Sequence, residues 1–407
     1  MKRLIGPFKE IITMSEAPLK GALAEDALGL ISKGGILIED DLIVKVGAFS
    51  DLKNEANSID RIKGDHVLMA GLIDSHTHIC FGGSRAGDYA QRVAGKTYQE
   101  ILKNGGGIHD SVSKTRAASE EDLTDLVKAR SKRHLEEGVT TIEVKSGYGL
   151  SVAEELKMLH AIQSANEKVP ADLISTCLAA HVCPKEFDNH ETYLEHIATK
   201  LFPELKTKNL TNRIDIFTED GAFDPILSAK YLTQAKADGF DLTVHADQFT
   251  PGGTAVAISA GAVSADHLEA ISDADIALLA ASETVATVLP GASLGLGMHY
   301  SPARKLLDAG CCLAIATDWN PGSAPMGDLL IQTALIGSAE KLSISECIAS
   351  ITFRAAKALN LSDRGRIKLG QLADLIAFPV SDHREIFYQQ GKIKPNKIWK
   401  RGVQVVG

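Results

Sequence analysis

Apolar positions along the chain fall into two rhythms. From residue 1 to about 66 they form short β-like runs. Gly35–Gly47 reads as two of these around the acidic turn Glu39-Asp40-Asp41. From 67 to about 325 longer apolar runs recur, at 67–78, 139–146, 172–182, 213–219, 241–248, 261–269, 284–291 and 311–318. Helical signals lie between them. Ser119-Glu120-Glu121-Asp122 has a capping-box pattern, followed by apolar Leu123, Leu126 and Val127. Ser151-Val152-Ala153-Glu154 opens a second helix, and Asp224-Pro225 a third with proline at the first helical position. Ser343-Ile344-Ser345-Glu346 begins a late helix predicted to run to about Asn360. From Gly365 the pattern is strand-like again, with an apolar run at 372–376 behind a Gly370-Gln371 turn.

Eight strands alternating with helices predict an α/β fold, a closed parallel (β/α)8 TIM-type barrel, with a doubly wound open sheet as the alternative. The β character shared by the two chain ends predicts a small composite β-sandwich domain. Its parts are 1–66 and 363–407, flanking a barrel at 67–362. The 79–118 stretch between the first two barrel runs is a long insertion, Gly-rich at 105–107, of the kind that serves as a lid or binding loop.

Composition narrows the class. With 43 basic and 52 acidic residues the net charge is −9, which disfavours nucleic acid and anionic membranes as partners. Met1–Pro18 has no uninterrupted apolar core and no run reaches membrane-span length, so a cytoplasmic location is expected. The six cysteines form no C-x-x-C pair and read as buried thiols, Cys80 included.

Barrel enzymes carry chemistry at the C-terminal ends of their strands. Here the first run ends in His76-Thr77-His78, the third in His181, the fifth in His245, the sixth in His267 and the eighth in Asp318. On a strand, His76 and His78 point to one face. Singly, each histidine also fits a hydrogen-bonded packing role; together, at one end of one barrel, they predict a site. His76, His78, His245 and Asp318 would give three nitrogens and one carboxylate to a metal, leaving a position for water. Asp318 would carry the water's proton, and His267 would orient the nucleophile or meet the developing oxyanion. His109, beside the triple glycine, is left without a role, and His134 is read as an ordinary packing or surface residue.

These residues resemble the amidohydrolase superfamily of metal-dependent hydrolases, in Asp74–His78, His245, His267 and Thr317-Asp318 with β segments at both ends. Many members bridge two metals with a carboxylated lysine on the fourth strand. The 213–219 run has no lysine, so a mononuclear site is expected and Lys145 is read as structural. Longer blocks are similar to the imidazolonepropionases within that superfamily: His78–Arg85, Gly105–Ile108, Thr115–Ser119, Glu143–Gly149, Ala179–His181, His245–Gln248 and Thr317–Ser323. The resemblance implies hydrolysis of the cyclic amide of 4-imidazolone-5-propanoate to N-formimidoyl-L-glutamate, the third step of histidine degradation. It also implies one Zn2+ or Fe3+ per chain and a homodimer. It suggests a substrate pocket of Arg85, Tyr148, His181, Gln248, Asn320, Gly322 and Ser323.

The residue chemistry agrees with parts of that set. A guanidinium suits a carboxylate, and Asn320 offers both a donor and an acceptor to an amide-like ring. Related deaminases usually place a proton-shuttling glutamate three residues after the fifth-strand histidine. Here Gln248 stands there and can hydrogen-bond a ring but not protonate it, leaving Asp318 with His267 as proton carriers. The competing readings are an aminohydrolase acting on a purine or pyrimidine ring, which Gln248 disfavours, and a non-catalytic metal-binding barrel.

Overall fold

The computed structural model describes residues 1–97, 100 and 105–407; Tyr98, Gln99 and 101–104, part of the 79–118 insertion, lie outside the described residues. The chain begins with β1 (Arg3–Ile12), β2 (Leu30–Glu39), β3 (Leu42–Ala48), β4 (Ser58–Arg61) and β5 (Val67–Ala70). It ends with β14 (Leu375–Phe378), β15 (Lys397–Lys400) and β16 (Val403–Val406). These eight strands form one mainly antiparallel sheet in the order β16-β15-β14-β5-β1-β2-β3, with β4 beside β1. The sheet curls so that the β3 edge meets the segment leading into β14: Leu42 bridges Leu372, and the Ala373 N–H donates to the Asp41 carbonyl at 2.8 Å. Ile5, Phe8, Ile36, Leu68, Leu375 and Trp399 fill the enclosed core.

Between the two ends lie β6 (Leu72–Asp74), β7 (Val139–Lys145), β8 (Asp172–Ala180), β9 (Arg213–Thr218), β10 (Asp241–Ala246), β11 (Ser264–His267), β12 (Val285–Val288) and β13 (Leu313–Ile315). They stand in chain order, each parallel to the next. The ring closes just beyond the strand ends. Thr77 bridges Trp319, the Asp318 N–H donates to the His76 carbonyl at 3.0 Å, and the His78 N–H to the Trp319 carbonyl at 3.0 Å. This closure excludes the doubly wound alternative. It also means that the segments closing the barrel carry three of the four proposed metal ligands, His76, His78 and Asp318.

Strand alternation sorts the side chains. Ile142, Val144, Ile214, Ile216, Leu242 and Val244 pack in one cluster with helix residues such as Leu123, Met158, Leu159 and Leu201. Glu143, Lys145, Asp215, Thr243 and His245 occupy the intervening positions and are buried. The predicted caps form: Ser119 and Ser343 each make a full capping box, Ser151 accepts from the Glu154 N–H, and Asp224 caps the helix opened by Pro225.

Two predicted elements are corrected. The 67–78 run is two strands. Val67–Ala70 pairs with β1 and β14 in the curled sheet, and only Leu72–Asp74 enters the barrel. Gly71 marks the change; a Cβ there would meet the Thr140 Oγ1 at 2.3 Å. The late helix breaks into Ile344–Ser350 and Phe353–Ala358, because the Ile351 carbonyl accepts a hydrogen bond from the Ile73 N–H at 2.9 Å. No helix among the described residues is long and apolar enough to cross a membrane.

Candidate metal centre and active site

β6 stops at Asp74, and the next residues rise to the mouth of the barrel with both histidines buried there. His76 Nε2 lies 3.2 Å from His78 Nε2, which lies 3.2 Å from His245 Nε2. Asp318 Oδ1 lies 3.3 Å from His78 Nε2 and 3.6 Å from His76 Nε2. A tetrahedral ion bound at about 2.0–2.1 Å sets its ligand atoms about 3.3–3.4 Å apart. These four spacings lie near that value, and His76, His78 and Asp318 form one group whose ligand atoms all lie within 4.8 Å of one another. His267 completes a second group with His76 and His245 whose ring nitrogens all lie within 4.8 Å of one another.

The far nitrogens of two imidazoles meet carboxylates below. His76 Nδ1 is 2.7 Å from Asp266 Oδ2, and His245 Nδ1 is 3.0 Å from Asp215 Oδ2. A carboxylate behind a histidine fixes the tautomer that presents Nε2 as a lone pair. Lys145 joins these supports, with Nζ 2.8 Å from Asp215, 2.8 Å from Glu143 and 3.8 Å from Asp266. Lys145, predicted to be structural, therefore ties together the carboxylates that hold His76 and His245.

Electrostatics follow from this burial. Burial, with Lys145 next, holds His76 well below the ordinary imidazole range. Burial also brings His245 down to about 4 against the opposing pull of Asp215. Both are neutral near pH 7 and free to donate a lone pair. Burial pushes the Asp318 carboxyl up, but the imidazoles of His78, His267 and His245 outweigh it and hold the group below its usual range. For His267 burial pulls down, and Glu269, 3.5 Å from Nδ1, outweighs it and raises the group.

Backbone conformation aims two of these groups. His267 has φ +89° and Asp318 φ +50°, values that L-residues rarely adopt. At His267 the turn breaks strand alternation, so Asp266 supports His76 from below while His267 joins the wall above.

Above the metal group opens a cavity of about 990 Å3. The predicted pocket residues Arg85, Tyr148, His181, Gln248, Asn320, Gly322 and Ser323 all line it, with His78, His245, His267 and Asp318. His181 stacks on His78 at 5.5 Å between centroids and anchors Nδ1 to the Gly147 carbonyl at 3.0 Å. Tyr148 lies against both rings. Asn320 Nδ2 donates to Asp318 Oδ2 at 2.9 Å, while its Oδ1 accepts from the Gly322 and Ser323 N–H groups. Arg85 Nε donates to Asp88 at 2.8 Å, and Asp88 also receives the Gly107 N–H, linking the glycine turn to the site. Gln248 sits between two clamps: Asp247 caps the Gly253–Ala260 helix, and Glu219 accepts from the Phe249 and Thr250 N–H groups.

Sequence reasoning missed Asp215, Asp266 and Glu143. The available signal was an acidic residue at an inward position of an apolar strand. It also passed over His134, which is fully buried with Nε2 3.1 Å from Asp74. Asp74 accepts from Thr317 N and Oγ1, stapling the first barrel strand to the last. His109 lines the cavity from an exposed position. Cys80 is a packing thiol, pushed up to about 12 by burial, and all six cysteines are free.

Comparison with known proteins places this geometry. The pattern of the Amidohydrolase family matches residues 67–405. An imidazolonepropionase of Bdellovibrio bacteriovorus is 37% identical, over 99% of this chain and 96% of its own. One from Fusobacterium nucleatum subsp. nucleatum is 40% identical, over 91% of each. Among solved structures, a triazine hydrolase variant superposes with a TM-score of 0.77 at 17% identity, covering 100% of this chain and 94% of its own. An adenosine deaminase from Xanthomonas campestris with bound zinc superposes at 0.72 and 16% identity, covering 99% and 92%. These structures speak for the fold.

Proposed function

We infer from this kinship that the chain, which belongs to the amidohydrolase family and within it to the imidazolonepropionases, is a hydrolase that opens the ring of 4-imidazolone-5-propanoate to give N-formimidoyl-L-glutamate in histidine degradation. The observation that carries the reading is the convergence of His76, His78, His245 and Asp318 beneath a cavity walled by Arg85, Tyr148, His181 and Asn320.

His76, His78, His245 and Asp318 would hold a single metal ion, zinc or ferric iron. Bound there, the ion supplies Lewis acidity that makes water a nucleophile at neutral pH. Arg85 grips the propanoate carboxylate, and Asn320 with the Gly322–Ser323 turn orients the ring. Tyr148 and His181 wall the ring on the side of His78. As the water oxygen bonds to the ring carbonyl carbon, Asp318, ionised by its imidazole neighbours, takes the proton. It passes that proton to the ring nitrogen as the C–N bond breaks, leaving a carboxylate and a formimidoyl amine. His267, raised by Glu269, donates to the oxygen that gains charge. Gln248 hydrogen-bonds the ring and has no proton to shuttle, which argues against ring deamination.

The test is loss of imidazolone propionate absorbance, the substrate freshly prepared from urocanate, with and without a chelator. Metal-dependent loss without ammonia release is expected; ammonia release from a purine or pyrimidine instead would favour the aminohydrolase. Elemental analysis of protein purified without added metal decides between zinc and iron. The reading also carries a cytoplasmic homodimer, which sedimentation of the purified chain tests.

A further inference from the structure

Among the described residues, the 79–118 insertion lines the cavity from two helices, Ile108–Ala117 through its first residues and the short helix Ala86–Val93. Arg85 stands at its N-cap, Asp88 in its first turn and Arg92 in its last. Positions separated by three and four residues share a helix face, and all three side chains line the cavity. Their pairing differs. Arg85 Nε is bound to Asp88 at 2.8 Å. Arg92 is half-buried, its Nη2 donates to the Gly322 carbonyl at 3.4 Å, and its guanidinium lies 5.7 Å from the Tyr89 ring centroid. Among the described residues it forms no ion pair with any carboxylate.

Both arginines converge on Gly322. A Cβ at that position would crowd Arg85 Nη1, so the guanidinium lies directly against the Gly322 backbone. This wall presents Arg85, Arg92 and Lys96 against the single acid Asp88. Burial, and then the charge of Arg85, lower Arg92. Two crowded cations beside an open cavity are relieved by an anion placed between them.

We propose that Arg92 is the second guanidinium of the substrate-carboxylate site, gripping the propanoate together with Arg85. This rests on the function inferred above and assigns a specificity role to a residue outside the set suggested by the family resemblance. Arg85, with Nε already committed to Asp88, offers its terminal nitrogens; Arg92 offers the remainder of its fork. The negative walls across the mouth, at Glu219 and Asp220, would repel the same carboxylate and so fix which end of the substrate faces Arg92.

The experiment compares Arg92→Gln and Arg92→Lys with the wild type on two compounds: imidazolone propionate, and its analogue with the carboxylate replaced by a carboxamide. Losing a charge-assisted contact should raise KM for the carboxylate substrate about ten- to a hundredfold and change kcat by less than about threefold. Turnover of the carboxamide should not change, so discrimination between the two collapses, and Arg92→Lys should recover part of it. Unchanged KM in Arg92→Gln would overturn the proposal. So would an equal loss on both compounds, which marks a residue that merely ties the helix to Gly322. A wild-type protein inert toward imidazolone propionate fails earlier, and overturns the functional reading itself.

Discussion

The floor of the active site and the core of the curled sheet are buried to the same degree and built from opposite materials. Glu143, Lys145, Asp215 and His76 are fully shielded from solvent, as are Ile5, Ile36 and Leu68. In the sheet core, each aliphatic or aromatic group stabilises the fold through area removed from water and through contact, and the contributions are largely local. In the site floor, burial costs free energy, offset only because every charge meets an opposite one. What that arrangement yields is position: imidazoles locked in one tautomer with their lone pairs aimed at a common point. A substitution in the sheet should therefore change stability and spare chemistry, whereas one in the floor should change chemistry first, and stability as well wherever it strands a buried charge.

The largest expected effect is on the chemical step. Asp318→Asn, assayed with saturating metal, should lower kcat by about 10²–10⁴-fold, the usual contribution of a positioned proton carrier. Near-normal turnover would remove Asp318 from that role.

The converse test lies in the sheet, where Trp399 packs edge-on to Phe8 at 6.2 Å. Trp399→Ala should cost about 3–5 kcal/mol in denaturant unfolding. It should leave kcat unchanged at temperatures where the protein stays folded. A parallel fall in kcat would show that the two regions are not separable.

A third test uses protons on metal-free, chelated protein. His245 titrates at 6.5 when unfolded and near 4 in the fold. Between those values the unfolded chain binds the extra proton, so stability falls as pH falls, by about 3 kcal/mol in all. His76 is shifted in the same direction and adds to the loss. Asp266, raised by burial to about 6, shifts the opposite way and offsets part of this loss, so the comparison is made in Asp266→Asn, where a urea midpoint that stays flat from pH 6.5 to 4 would mean the histidines are not held neutral. Smallest are the supports: Asp215→Asn or Asp266→Asn should weaken metal affinity about 10–100-fold, read by chelator competition.

The same contrast explains what could be read from the chain. His76, His78, His245, His267 and Asp318 were legible because each ends an apolar run, and a parallel barrel gathers strand ends at one rim. Asp215 between Ile214 and Ile216 was visibly an inward residue. That it meets His245 and Lys145 depends on the register of neighbouring strands, which a linear pattern does not encode. The division of the 67–78 run depended on Gly71 alone, since both halves are equally apolar. The break in the late helix comes from a hydrogen bond to Ile73, some 280 residues away in sequence. Arg92 was hidden in a helix whose polar face looks like any solvated one.

The division at Gly71 has a consequence for how the protein is made. The strand leading to the first two histidines is steadied on one side by the Gly71 N–H donating to the Asp374 carbonyl, and by β5 pairing with β14 through Phe378. Those partners lie about 300 residues downstream, so a ribosome delivers them long after the strand itself. Until they emerge, His76 and His78 hang from a half-supported strand, and Asp318, which completes the set, is itself late. Assembly of this donor set should therefore wait until those downstream segments have emerged and folded back onto the strand.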